Sequence, residues 1–265
     1  MERTLVLGIL NVTPDSFADG GKFLDSKDAI NQGRRLIAEG ADIIDVGGES
    51  TRPGAERVSQ DEEIKRVIPV ITELVKDGAV ISIDTTRAEV ARQAIAAGAT
   101  YVNDVSGGLA DEKMAQLIAA NSKVQYIVMH WRGASKDMQS KAIYKDVVKE
   151  VKDELDDRVS HLIKAGVQTE QIILDPGIGF AKEPEHNWQI LQNIERFQLL
   201  GYPILIGASR KRFLGELVNA KDTDDRESAS IALTAELARL NIWGVRTHSV
   251  KPHRDAIAVI DRLRK

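Results

Sequence analysis

Six polar residues stand at the ends of apolar runs: Asn11 after TLVLGIL, Asp84 after ISI, Asn103 after YV, Asp175 after IIL, and Arg246 and His248 in VRTH. Side chains alternate faces along a strand, so period-two spacing sorts each residue to one side of a sheet. Leu5, Leu7, Ile9 and Asn11 share a face, Val80 and Ser82 share one with Asp84, Ile173 lies with Asp175, and Arg246 lies with His248. Asn103 points opposite to Val102 and Asp104, so Asp104 reads as structural. An aspartate that ends a strand is often only the N-cap of the next helix, and a lone histidine is often an ordinary hydrogen-bonded one. A set converging on one rim is harder to dismiss, because buried carboxylates and amides without partners are unfavourable.

Two inward carboxylates and a carboxamide suit a planar ligand with several N–H donors, such as an aminated heterocycle. Arg52, Lys211, Arg246 and His248 supply cations for phosphate or carboxylate groups. The stretch GASRKRF (207–213) crosses from a strand into a helix start, where backbone N–H groups favour an anion. Asn11, with Asp15 and Asp19 in the polar loop NVTPDSFADGG, offers oxygen ligands for Mg²⁺ beside a phosphate. His130, His161, His186 and His253 stand singly, and no chemistry is assigned to them.

The elements that must position these groups alternate. Strands are expected near 4–12, 43–47, 79–85, 100–104, 123–129, 171–175, 203–208 and 243–248. Helices are expected near 26–40, 60–77, 87–98, 111–121, 144–165, 185–199, 226–241 and 252–264. Segments such as AEGADIIDV and AAGATYVND repeat one theme, a helix ended by glycine before a strand. Repeated βα units with no Pro/Gly/Ser linker point to one α/β domain over 1–265, a closed (β/α)₈ TIM barrel, with an open doubly wound sheet as the alternative. Barrel active sites lie at the C-terminal strand ends and in the loops that follow, which is where the polar residues fall.

Composition narrows the class. Lys plus Arg number 36 against 40 for Asp plus Glu, a net charge of -4, which argues against nucleic acid and anionic membranes as partners. The absence of cysteine excludes disulfides and thiolate chemistry. No apolar run reaches the ~18 residues of a membrane span, and the first residues carry no secretory pattern, so a cytoplasmic protein is expected.

At these residues the chain resembles the dihydropteroate synthases of the pterin-binding family. The shared stretches run nearly end to end: GILNVTPDSFADGG, DVGGESTRPGA, SIDTTRAEVARQAIAAGATYVNDVSGG, VMHWRG, LDPGIGFAK, GASRKRFLG and VRTH. The resemblance implies a homodimeric barrel that condenses (7,8-dihydropterin-6-yl)methyl diphosphate with p-aminobenzoate, giving 7,8-dihydropteroate and pyrophosphate, with Mg²⁺ and with sulfonamides as inhibitors. It implies Asp84, Asn103, Met129, Asp175, Phe180, Lys211 and Arg246 for the pterin. It implies Asn11 for the metal, and Asn11, Thr51, Arg246 and His248 for the diphosphate. Phe17, Thr51, Arg52, Pro53 and Arg212 would form the p-aminobenzoate pocket, and Asp19, Lys211, Arg246 and His248 would assist the chemistry.

Three positions depart from the common pattern: Ser249 where aspartate often follows the histidine, Ala181 where glycine is usual, and Trp131 at a variable place. The rival readings are a pterin-dependent methyltransferase of corrinoid systems and a pterin-binding homologue without turnover. The GGESTRPG cations and SRK argue against the first, and the intact polar set against the second.

Overall fold

The computed structural model describes residues 3–13, 22–49, 58–133 and 138–264, with the side chains of 22–25 excepted. The expected Phe17, Asp19, Thr51, Arg52 and Pro53 lie outside the described residues. The described residues form eight strands: β1 (Leu5–Asn11), β2 (Ile43–Gly47), β3 (Ile81–Asp84), β4 (Tyr101–Asp104), β5 (Gln125–Met129), β6 (Ile172–Asp175), β7 (Leu205–Ile206) and β8 (Gly244–Thr247). All ladders are parallel, in the order β6-β5-β4-β3-β2-β1-β8-β7. A parallel bridge between Leu174 and Ile204 joins the two ends and closes the cylinder. The expected TIM barrel is therefore the observed fold.

The outer layer is helical: α1 (Lys22–Ala38), α2 (Gln60–Lys76), α3 (Ala88–Ala96), α4 (Lys113–Ala119), α5 (Val147–Lys164), α6 (Pro184–Gln192), α7 (Ile194–Gln198), α8 (Arg212–Val218), α9 (Glu227–Arg239) and α10 (Lys251–Leu263). In α5, the Asp146 side chain caps the Lys149 N–H, and Val147, Val151, Leu155, Val159 and Leu162 bury a stripe at helical spacing. The glycines that end helices before strands, Gly40, Gly78, Gly98 and Gly166, all have positive φ, as a C-cap position requires.

Three details differ from the sequence expectation. The helix near 185–199 is broken at Asn193 (φ -117°, ψ 26°), whose side chain donates to the Gln189 carbonyl and so competes with the helical ladder. The seventh strand shrinks to Leu205–Ile206, since Pro203 has no N–H to donate. A short extra helix, α8, follows it before α9.

The core has two compartments. One large cluster fills the space between sheet and helices. A second lies inside the barrel, where Leu7, Ile43, Ile127, Ile173 and Leu205 meet, with Leu5, Tyr101 and Trp243 packed against them. This apolar plug fills the N-terminal half of the cylinder, so the polar strand ends stand on a rigid floor.

Candidate active site

Five strands bring the pterin-type set together. Register aligns Asp84 with Asn103 across β3 and β4, Met129 with Asp175 across β5 and β6, and Leu7 with Arg246 across β1 and β8. The Arg246 guanidinium crosses the mouth, with Nη2 2.7 Å from Asp84 Oδ2 and Nε 2.5 Å from Asp45 Oδ2. Asn103 donates to the same Asp45 oxygen at 3.0 Å. Asp45 is fully buried, and its second oxygen, like the Ser82 hydroxyl beside it, has no partner among the described residues.

Asp45 was not foreseen. Period-two spacing puts Ile43, Asp45 and Gly47 on one face, but a carboxylate within an apolar run carries no local mark of the Arg246 and Asn103 contacts that the fold brings to it. Asp104 behaves as expected of a structural residue. It accepts from the Ser106 N–H and hydroxyl, the Gly108 N–H and the Tyr126 hydroxyl.

Electrostatics follow from burial. Desolvation pushes Asp84 up to about 7, against the attraction of Arg246 and with the help of Asp45. Desolvation also raises Asp175, while Lys211 pulls it back, and the Gly177 N–H donates to Asp175 Oδ1 at 2.7 Å. Lys211 is pushed down to about 8 by burial, opposed by Asp175. Its amine donates to the Ile178 carbonyl and sits 4.6 Å from the centre of the Phe180 ring. Phe180 and Met129 thus flank the same opening as Asp175 and Lys211.

The cationic side of the rim is held by the loop after β7. Ser209 Oγ lies 3.1 Å from His248 Nδ1 and also accepts from the His248 N–H. Arg210, in a left-handed conformation (φ 57°), donates to Glu227, Asp224 and the Ser249 hydroxyl, each at 2.7 Å. Glu227 and Asp224 supply the carboxylates that an aspartate at 249 would otherwise bring. Arg212 is placed differently from the other cations. Its side chain is 87% exposed and pairs with Glu216 one turn along α8. Asn11, at the end of β1, is half-buried and faces Gly47, where a methyl group would come 3.7 Å from its Oδ1 and from Asp84 Oδ2.

The flanks of the 50–57 stretch are tied to the β3 end. Arg87 donates to Glu49 at 2.9 Å, to the Val58 carbonyl at 2.6 Å and to Glu63. Glu63 is itself buried and accepts from the Thr85 hydroxyl at 2.6 Å.

Comparison with known proteins agrees with this geometry. A family model described as "Pterin binding enzyme" matches residues 7–248. A dihydropteroate synthase of Mycobacterium leprae is 48% identical over 261 residues, covering 96% of this chain and 92% of that protein. The structure of Xanthomonas albilineans dihydropteroate synthase with 4-aminobenzoic acid superposes with a TM-score of 0.93 at 40% identity, over 99% of this chain and 94% of that one. The Xanthomonas albilineans enzyme in complex with 7,8-dihydropteroate superposes with a TM-score of 0.90 at 37% identity, over the same shares. The chain belongs to the pterin binding enzyme family and, within it, to the dihydropteroate synthases.

Proposed function

We propose that the whole chain, as one barrel domain, condenses (7,8-dihydropterin-6-yl)methyl diphosphate with p-aminobenzoate to form 7,8-dihydropteroate and pyrophosphate. The observation that carries the reading is the Asp45–Arg246–Asp84 crossing at the mouth, with Asn103 below it and Asp175 and Lys211 beside it. The acceptors Asp84 and Asp175 and the amide of Asn103 match the N–H groups and ring nitrogens of a pterin. The flat guanidinium of Arg246 and the Phe180 ring offer faces for stacking.

In the reaction the carbon–oxygen bond breaks and its electron pair leaves with pyrophosphate. The arylamine lone pair then forms the carbon–nitrogen bond, and the nitrogen proton goes to water. Lys211, Arg246 and His248 would stabilise the departing charge, and Asp84 and Asp175 the positive charge that develops on the ring. Holding the weak arylamine nucleophile close matters more than deprotonating it.

Among the described residues no group of three His, Cys, Asp or Glu side chains could hold a metal. The oxygen of Asn11 fits Mg²⁺ nonetheless, because that ion keeps waters and takes its remaining ligands from substrate phosphates. When bound, it would neutralise charge on the leaving diphosphate. The roles of Asp19, Phe17, Thr51, Arg52 and Pro53 rest on the family likeness, since these residues are outside the described set. Arg212 gains no support for the p-aminobenzoate pocket from its solvent-facing side chain. The same reading includes a homodimer in the cytoplasm, which light scattering and cell fractionation test.

The decisive assay is pyrophosphate release from the pterin diphosphate with Mg²⁺, with and without p-aminobenzoate. Release that depends on p-aminobenzoate, yields dihydropteroate and is competed by a sulfonamide supports the reading. Pterin binding without release, or methyl transfer to a corrinoid protein, overturns it.

A further inference from the structure

A buried chain of ionisable groups lies behind the slot, and the reaction above does not use it. Lys182 and His130 are each 3% exposed. The Lys182 amine lies 3.0 Å from His130 Nδ1 and donates to the Phe180 carbonyl at 3.0 Å. On the other side of the imidazole, Nε2 lies 2.9 Å from Glu154 Oε2 on α5. The Glu154 carboxylate, held low at about 2, can only accept, so the ring proton sits on Nε2 facing it and the neutral imidazole presents Nδ1 as the acceptor for the Lys182 amine. Donation thus runs outward from the amine in both directions, to the Phe180 carbonyl on one side and through the imidazole to the Glu154 carboxylate on the other.

Burial of an amine is unfavourable, and a methionine would fill the same space without that penalty. What the amine does is hold backbone. The segment 176–183 carries the wall of the slot, and its groups are taken up one by one. Gly177 N–H goes to Asp175, Gly179 N–H to Asn187 at 2.6 Å, and the Ala181 carbonyl accepts from Tyr144 at 3.0 Å. The Ile178 carbonyl is held by Lys211, and the Phe180 carbonyl by Lys182. The end of β5 is fastened to the same segment, since the His130 N–H donates to the Asp175 carbonyl at 2.8 Å.

We propose that Lys182 is a positioning residue for the first substrate, acting through the Glu154–His130–Lys182 chain to fix the Phe180 carbonyl and so the wall that faces Asp175 and Lys211. This rests on the reading of that slot as the pterin site. Lys182 touches no reacting atom. Burial lowers its amine to about 7, with Asp175 pulling it up and Lys211 and Arg132 pushing it down, so it belongs to the same electrostatic field as the slot.

The test compares Lys182→Met and Glu154→Ala with the wild-type chain. Glu154 is partly exposed, so its truncation leaves the core packed even if loss of the buried amine proves disruptive. Lys182→Met is expected to raise the KM for the pterin diphosphate on the order of tenfold, the loss of one hydrogen bond to the Phe180 carbonyl. Glu154→Ala raises it several-fold. The KM for p-aminobenzoate and kcat stay close to wild type in both. His130 in the wild type is expected to show the neutral Nε2–H form in nitrogen-15 spectra. Folded variants with unchanged pterin KM, or with both KM values and kcat spoiled alike, overturn the proposal. If the wild type shows no turnover, the functional reading fails. Titration of wild type and variants with a pterin-6-ylmethyl monophosphate then decides the positioning role by itself.

Discussion

Arg246 Nε lies 2.5 Å from Asp45 Oδ2, joining two residues that are 201 positions apart in the chain. The pair sits where β2 and β8 flank β1, so one buried carboxylate fixes both a rim cation and, through the same oxygen, the Asn103 amide. Asp45→Asn keeps the shape and removes the charge. Arg246 then pairs its charge with Asp84 alone, and both its Nε bond and the Asn103 contact depend on how the new amide is turned. The KM for the pterin substrate is expected to rise about tenfold or more, with stability lower by roughly 1–3 kcal/mol. Steady-state kinetics and urea unfolding check both numbers.

Arg246→Met has a different signature. It leaves Asp45 and Asp84 together without their cation, an uncompensated buried pair whose cost is roughly 3–5 kcal/mol. The pH dependence carries the diagnosis. Asp84 is already held up to about 7 in the folded protein, so between the ordinary carboxylate range and about 7 the folded state binds more protons than the unfolded one. Stability contributed by that group is full at low pH and lost as pH rises through this window. Removing Arg246 pushes the carboxyl higher still, so the variant should be least stable above pH 8 and recover towards pH 5. A loss independent of pH would count against the pairing.

Lys182 supplies the opposite slope. Burial lowers its amine to about 7, against an unfolded value near 10.5. Between those values the unfolded chain holds the proton and the folded chain does not, so stability rises with pH across that window. Lys182→Met should flatten the rise. Unfolding midpoints in guanidinium at pH 6.5, 8 and 9.5 separate the two outcomes.

Two glycines make a matched pair for the wall segment. Gly177 has φ 70°, and a Cβ there would come 2.7 Å from the His130 carbonyl oxygen. Gly78 has φ 83°, with nothing within 4 Å of the same position. Gly78→Ala carries only the left-handed strain, about 1–2 kcal/mol. Gly177→Ala adds a backbone collision beside Asp175, so it should cost more stability and also weaken pterin binding. Calorimetric melting and pterin titration of the two variants read the difference. Equal effects would remove the collision argument.

Much of this was legible in the sequence because barrel geometry repeats. Alternation along β3, β4, β6 and β8 placed Asp84, Asn103, Asp175 and Arg246 on one rim, and helix-ending glycines marked the strand starts. What escaped was set by contacts between distant segments. His130 reads as a lone histidine until Lys182 and Glu154 are brought to its two nitrogens from elsewhere in the chain. Asp45 looks like any carboxylate in an apolar run until Arg246 arrives from β8. The break at Asn193 depends on a side chain winning a carbonyl from its own helix, which no apolar periodicity reports.

The closure of the cylinder rests on a single bridge, Leu174 to Ile204, with Leu174 N–H donating to the Pro203 carbonyl. Every other neighbouring pair of strands is laced by a ladder of at least two aligned positions. On one side of this thin seam β6 ends in Asp175, and on the other the loop after β7 carries Lys211. A molecule that grips both residues therefore acts as a rivet across the least-stitched line of the wall. If the proposed pterin slot is the binding site, occupancy and mechanical integrity of the barrel become one property, and the empty protein opens first along this seam.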